Sequence, residues 1–105
     1  MVKVPLKLQI SEERITAAMD FIVKKMRMRI AKKGQLSHAS RHESLGLIAE
    51  EYFELIEAIK SNDDEEIVHE LADVAVGCIW AIASMQEKEE FRKTTQEQLD
   101  HGVIV

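Results

Sequence analysis

The stretch Asp64-Glu65-Glu66-Ile67-Val68-His69-Glu70-Leu71-Ala72-Asp73-Val74-Ala75-Val76-Gly77-Cys78-Ile79-Trp80-Ala81-Ile82-Ala83 decides how this chain folds. Asn62 lies just before it, Glu65 follows Asn62 by three residues, and acids crowd the first turn, where the positive end of a helix dipole favours them. The predicted helix is amphipathic at first and apolar all round from Leu71. Such a helix needs neighbours on most sides. The nearly apolar run from Leu71 to Ala83 has 13 residues and contains Asp73. It falls short of the roughly 18 residues that a membrane span requires.

Two more helices are predicted upstream. Ser40 and Glu43 form a capping-box pattern, and Leu45, Ile48, Tyr52, Leu55, Ile56 and Ile59 then make one stripe. The short connection around Ser61 and Asn62 predicts that this helix runs antiparallel to the next. Further back, Ser11 caps a helix whose first turn holds Glu12 and Glu13. Its apolar positions are Ile15, Ala18, Met19, Ile22, Met26 and Ile30, and Lys32, Lys33 and Gly34 suit its end. Val2, Val4, Leu6, Leu8 and Ile10 alternate with polar residues and Pro5, which reads as an extended N-terminal arm over residues 1–10. Residues 11–105 form a single helical domain. After Met85 the pattern thins to Phe91 and Leu99, either as a continuation of the third helix or as a fourth ending before Gly102. The expected fold is all-α: an antiparallel helical bundle of three to four helices, completed by dimerisation.

The composition sets bounds on function. At 105 residues the chain makes one small domain and buries little apolar surface alone, so association is expected. One Cys excludes a disulfide framework, a Cys-based zinc site and an iron–sulfur cluster. The N-terminal residues carry no apolar signal-peptide core, so a soluble, cytoplasmic protein with no membrane partner is expected. A net charge of −5 argues against nucleic acid as a partner.

The acidity is concentrated. Ten of the 19 acids lie between Glu50 and Asp73. On a helix at about 100° per residue, Glu51 borders the apolar stripe, with Glu54 beside it on the same flank. Glu50 is one turn from Glu54. Glu70 and Asp73 share a face of the third helix, and Asp73 leads directly into its apolar part. A carboxylate there costs several kcal/mol unless a cation, a hydrogen-bond network or a proton compensates it. No Lys or Arg occurs between Lys60 and Lys88. With the two helices antiparallel, Glu51 and Glu54 face Glu70 and Asp73. An all-oxygen set of such charge suits a hard cation, Mg²⁺ or its substitute Mn²⁺.

Glu50-Glu51-Tyr52-Phe53-Glu54, a spacer of 15 residues and Glu70-Leu71-Ala72-Asp73 resemble the E-E-x-x-E…E-x-x-D signature of MazG-like all-α nucleoside triphosphate pyrophosphohydrolases. Leu55-Ile56-Glu57-Ala58-Ile59 and Val74-Ala75 extend the likeness, which covers roughly residues 43–83. The resemblance implies a helical homodimer or homotetramer that cleaves (deoxy)nucleoside triphosphates to monophosphate and pyrophosphate with Mg²⁺, as in nucleotide-pool sanitation. It implies Glu51, Glu54, Glu70 and Asp73 as metal ligands and Glu50 as base toward water. Relatives often carry Lys and Asn in the last helix, but no Asn follows Asn62 here, and Lys88, Arg92 and Lys93 are what remains.

Candidates for substrate contact are His38, Lys33, Trp80 and Lys88. The run Lys24, Lys25, Arg27, Arg29, Lys32 and Lys33 could meet a triphosphate or simply be a solvated helix end. His42 flanks the second helix with His38. Tyr52 sits on the stripe and reads as core. Phe53 and Trp80 suit a base or an interface, and Gly77 suits packing or space for a ligand. Two other readings compete. Glu66 and His69 form the E-x-x-H spacing of di-iron carboxylate bundles. The apolar third helix alone fits a non-catalytic helical dimerisation module.

Overall fold

The computed structural model describes residues 7–102, and these form three helices without strands. Helix α1 spans Glu12–Lys33, α2 spans Arg41–Ser61 and α3 spans Asp64–Asp100. The part of the extended-arm reading that rests on Val2, Val4 and Leu6 lies outside the described residues. Lys7 to Ile10 are exposed and carry no regular structure.

The caps lie where local chemistry puts them. Ser11 Oγ accepts from Arg14 N at 3.2 Å. Ser40 Oγ accepts from Glu43 N at 3.1 Å, and the Glu43 carboxylate returns to Ala39 N at 3.2 Å, one residue earlier than in a standard capping box. Gly34 closes α1 at φ 79°, a conformation that costs glycine nothing. Asn62 closes α2 in the left-handed region, and Asp63, not Asn62, caps α3 by accepting from Glu65 N and Glu66 N. No break follows Met85, so the last segment is a continuation of α3 and the helices number three among the described residues.

α3 is the central element. α1 and α2 each pack on it and not on each other. Aromatic, ion-pair and cation–π contacts run in step between α1 and α3, from Phe21–His69 through Lys25–Asp73 to Arg29–Trp80. Those two helices are therefore parallel. Ile48 lies by Gly77 while Ala39 meets Lys88, so α2 runs antiparallel to α3. Up, down and up, the three helices leave a groove between α1 and α2 whose floor is α3.

The core of the single chain is small. Its buried apolar residues are Leu55, Ala58, Ala72, Val76 and Ala81. On α2 the inward line is Ser44, Ile48, Glu51, Leu55 and Ala58. Leu45, Tyr52 and Ile59 form a separate line that stays exposed, and Tyr52 at 54 % exposure is not core. Val68, Leu71, Ile79, Ile82 and Met85 leave α3 bare on the side that neither neighbour covers. The chain exposes 9147 Å², where a compact monomer of its 12.0 kDa mass exposes about 6,000 Å².

By length and composition α3 could also cross a membrane, with an 18-residue window of mean hydropathy 1.5. Every such window includes both Glu70 and Asp73, and charge at that depth is costly. α1 and α2 cover only part of it: 28 % of that window is buried within the chain.

Candidate functional site

The inward turn of α2 brings Glu51 over the floor of the groove. There one carboxylate oxygen each from Glu51, Glu70 and Asp73 lies within 4.8 Å of the others. All three residues are partly buried. Glu51 Oε2 and Glu70 Oε2 are buried and have no hydrogen-bond partner. Burial first, then the charges of Glu54 and Asp73, raise the Glu51 pKa to about 7. Burial, Asp73 and Glu54 push Glu70 up as well. Glu54 itself is exposed at the rim, near enough for its charge to act on both.

The compensating cation comes from α1. Lys25 Nζ lies 2.7 Å from Asp73 Oδ1 and donates to His69 O at 3.2 Å. One ammonium cannot balance four clustered acids, and it leaves the two orphaned oxygens untouched. Two buried, unpartnered carboxylate oxygens in an all-oxygen set fit a bound divalent cation. Glu51, Glu70 and Asp73 are the residues that would hold it; Glu54, the fourth expected ligand, lies beside the trio but outside it.

The groove has a volume of about 350 Å³. Glu50 and Glu51 line the α2 wall, Asp73 the floor, and Lys25, Arg29, Lys32 and Lys33 the α1 wall. The basic run of α1 thus divides between two faces. Positions 25, 29, 32 and 33 recur at helical spacing and turn inward, whereas Lys24 and Arg27 border a different surface hollow. That spacing is visible in the sequence. Lys25 as the partner of Asp73 is not, because it needs the parallel register of α1 and α3.

The other candidates scatter. Lys33 and Glu50 line the groove. Trp80 does not; its Nε1 donates to Leu36 O at 2.8 Å, and the Arg29 guanidinium sits 4.6 Å above its ring. His38 and Lys88 lie in a separate cavity at the start of α2. Lys88 is 15 residues past Asp73, about 22 Å along α3 at 1.5 Å per residue. Glu66 and His69 do not join the acid cluster. The Glu66 carboxylate accepts from Ser61 Oγ at 3.4 Å, and the His69 ring packs edge-on to Phe21.

A family model matches the part of the chain that carries the acids. The MazG nucleotide pyrophosphohydrolase domain matches residues 40–98, more than half the chain. The chain belongs to the MazG family. The match takes in α2, the turn after it and almost all of α3, and so includes all four clustered acids. The basic wall on α1 lies outside the matched MazG region. No individual curated protein and no solved structure gives a significant match.

Proposed function

We propose that the protein is a Mg²⁺-dependent nucleotide pyrophosphohydrolase that converts (deoxy)nucleoside triphosphates to monophosphate and pyrophosphate. The observation that carries this reading is the trio Glu51, Glu70 and Asp73, with two buried and unpartnered carboxylate oxygens at the floor of a half-basic groove. Held by those acids, with Glu54 beside them, Mg²⁺ would neutralise phosphate oxygens and favour ionisation of an attacking water. Mn²⁺ meets the same demand for hard oxygen ligands.

The protein's own groups have separable tasks. Glu50, exposed on the groove wall, accepts the proton from water as its oxygen attacks the α-phosphorus. The bond from that phosphorus to the bridging oxygen of the β-phosphate breaks, and pyrophosphate leaves with the bond's electron pair. Arg29, Lys32 and Lys33 face the acids across the groove and offset the charge of the departing phosphates. Lys25 holds Asp73 in place.

The protein acts as a homodimer or homotetramer in this reading. The bare apolar lines on α2 and α3 are the support, since a helix apolar on all sides is stable in water only when covered. The same lines would serve a non-catalytic dimerisation module, but such a module has no use for buried, unpaired carboxylates.

The test is incubation with a panel of nucleoside and deoxynucleoside triphosphates plus Mg²⁺, with both products measured. Monophosphate and pyrophosphate should appear in equal amounts. Orthophosphate, or no turnover of any nucleotide, would sink the assignment. Asp73→Asn and Glu54→Gln should each lower kcat at least 100-fold while the helical circular dichroism is kept.

A further inference from the structure

A second cavity, of about 310 Å³, opens at the N-terminus of α2, and none of the clustered acids lines it. His38, Arg41, Lys88 and Arg92 line it, with Glu89 as its one acid. In a chain of net charge −5, this is a concentration of positive charge. The first-turn amides of Arg41 and His42 have no hydrogen-bond partner among the described residues, and the helix dipole adds to the positive potential there.

His38 points more directly to a ligand. It is 2 % exposed, and two of its polar atoms are engaged by buried hydroxyls. His38 N donates to Ser84 Oγ at 2.9 Å, and Nδ1 pairs with Ser44 Oγ at 2.6 Å. Nε2 is buried and has no partner. With Nδ1 accepting from the Ser44 hydroxyl, the ring proton sits on Nε2 and makes it a donor; the pair's geometry allows this tautomer. A buried ring nitrogen without a partner, in a residue that lines a cationic cavity, is a demand that an anion can meet.

Lys88 is held at the cavity by donating to Ala39 O at 2.7 Å, which fixes its charge there. Arg92 is tied to Glu89 at 3.1 Å, an exposed pair that a stronger anion can displace. We propose that this cavity is a second binding site, separate from the acid-lined groove, that takes a phosphate group. His38 Nε2, Arg41, Lys88, Arg92 and the first turn of α2 are its donors. The ligand class is a phosphomonoester or diphosphate, and binding there needs no metal. This stands apart from the proposed hydrolysis, because none of these residues lines the groove.

The experiment titrates inorganic pyrophosphate into the full chain in EDTA and 150 mM chloride. Heat is measured by calorimetry, and the histidine ring signals are followed by NMR. One pyrophosphate should bind per chain, with movement of the His38 Cε1–H signal and a smaller or no change at His69, beside the acid cluster. Arg41→Gln combined with Arg92→Gln, both at exposed positions, should weaken binding at least 10-fold with unchanged circular dichroism. Glu89→Gln should tighten it, and Asp73→Asn should leave it within 2-fold. The proposal fails if no heat or shift appears at 10 mM pyrophosphate. It also fails if binding ignores the Arg41/Arg92 variant, or if Arg29→Gln in the groove abolishes it instead.

Discussion

At the scale of single residues, the groove is governed by one ammonium among four carboxylates. Glu51 titrates near pH 7 in the folded chain, against about 4.5 for an ordinary Glu. Between those values the folded state holds a proton that the unfolded chain has released. Folding is then favoured by acid, so metal-free stability falls as pH rises from about 4.5 to 7 and levels off above. Melting temperatures in EDTA at pH 5 and pH 8 should show this order, with the lower value at pH 8. Saturating Mg²⁺ should shrink the gap, because a bound cation takes over the role of the proton; at 100 times Kd such a ligand adds about 2.7 kcal/mol. Lys25→Met should widen the gap in EDTA by removing the positive charge 2.7 Å from Asp73. The acids are legible from the sequence because Glu70 and Asp73 sit beside an apolar run. Their counter-ion is not, since Lys25 is 48 residues from Asp73 and looks like any other member of a basic run.

At the scale of helices, local signals locate all three starts, and periodicity draws one stripe too wide. Ser11, Ser40 and the acids after Asn62 signal helix entry through local chemistry that needs no tertiary information. The expected stripe on α2, Leu45, Ile48, Tyr52, Leu55, Ile56 and Ile59, splits: Ile48, Leu55 and Ile56 turn toward the interior, while Leu45, Tyr52 and Ile59 stay exposed. Ser44, Glu51 and Ala58 complete the inward line where α2 packs on α3, and apolar size alone does not report that small and polar residues belong there. Gly77 gives a test of the same contact. A Cβ at Gly77 would meet Ile48 Cγ1 at 3.5 Å, an ordinary packing distance. Gly77→Ala should therefore raise stability by about 0.5–1 kcal/mol through helix propensity, measured by urea unfolding. A loss of stability would mean that the two helices sit closer than this.

At the scale of the whole molecule, the chain is long and thinly packed, 75 Å by 28 Å by 28 Å. The exposed line Leu45, Tyr52 and Ile59 predicts self-association, and Tyr52→Glu should shift sedimentation toward monomer while wild type stays larger; two species of equal mass would refute it. A helix apolar on every side signals this need in the sequence, but periodicity cannot say which faces the chain covers for itself. The last turns of α3 depend on that cover most. Beyond Lys88, which bonds to Ala39, α3 runs on to Asp100 with Phe91 and Leu99 exposed. About twelve residues of unsupported helix are marginal in water. In the proposed oligomer their order is borrowed from a second copy, and the chain's helical content becomes a reporter of its own concentration. Far-ultraviolet ellipticity per residue should fall on dilution from 100 μM to 0.1 μM, while the segment up to Lys88 stays wound.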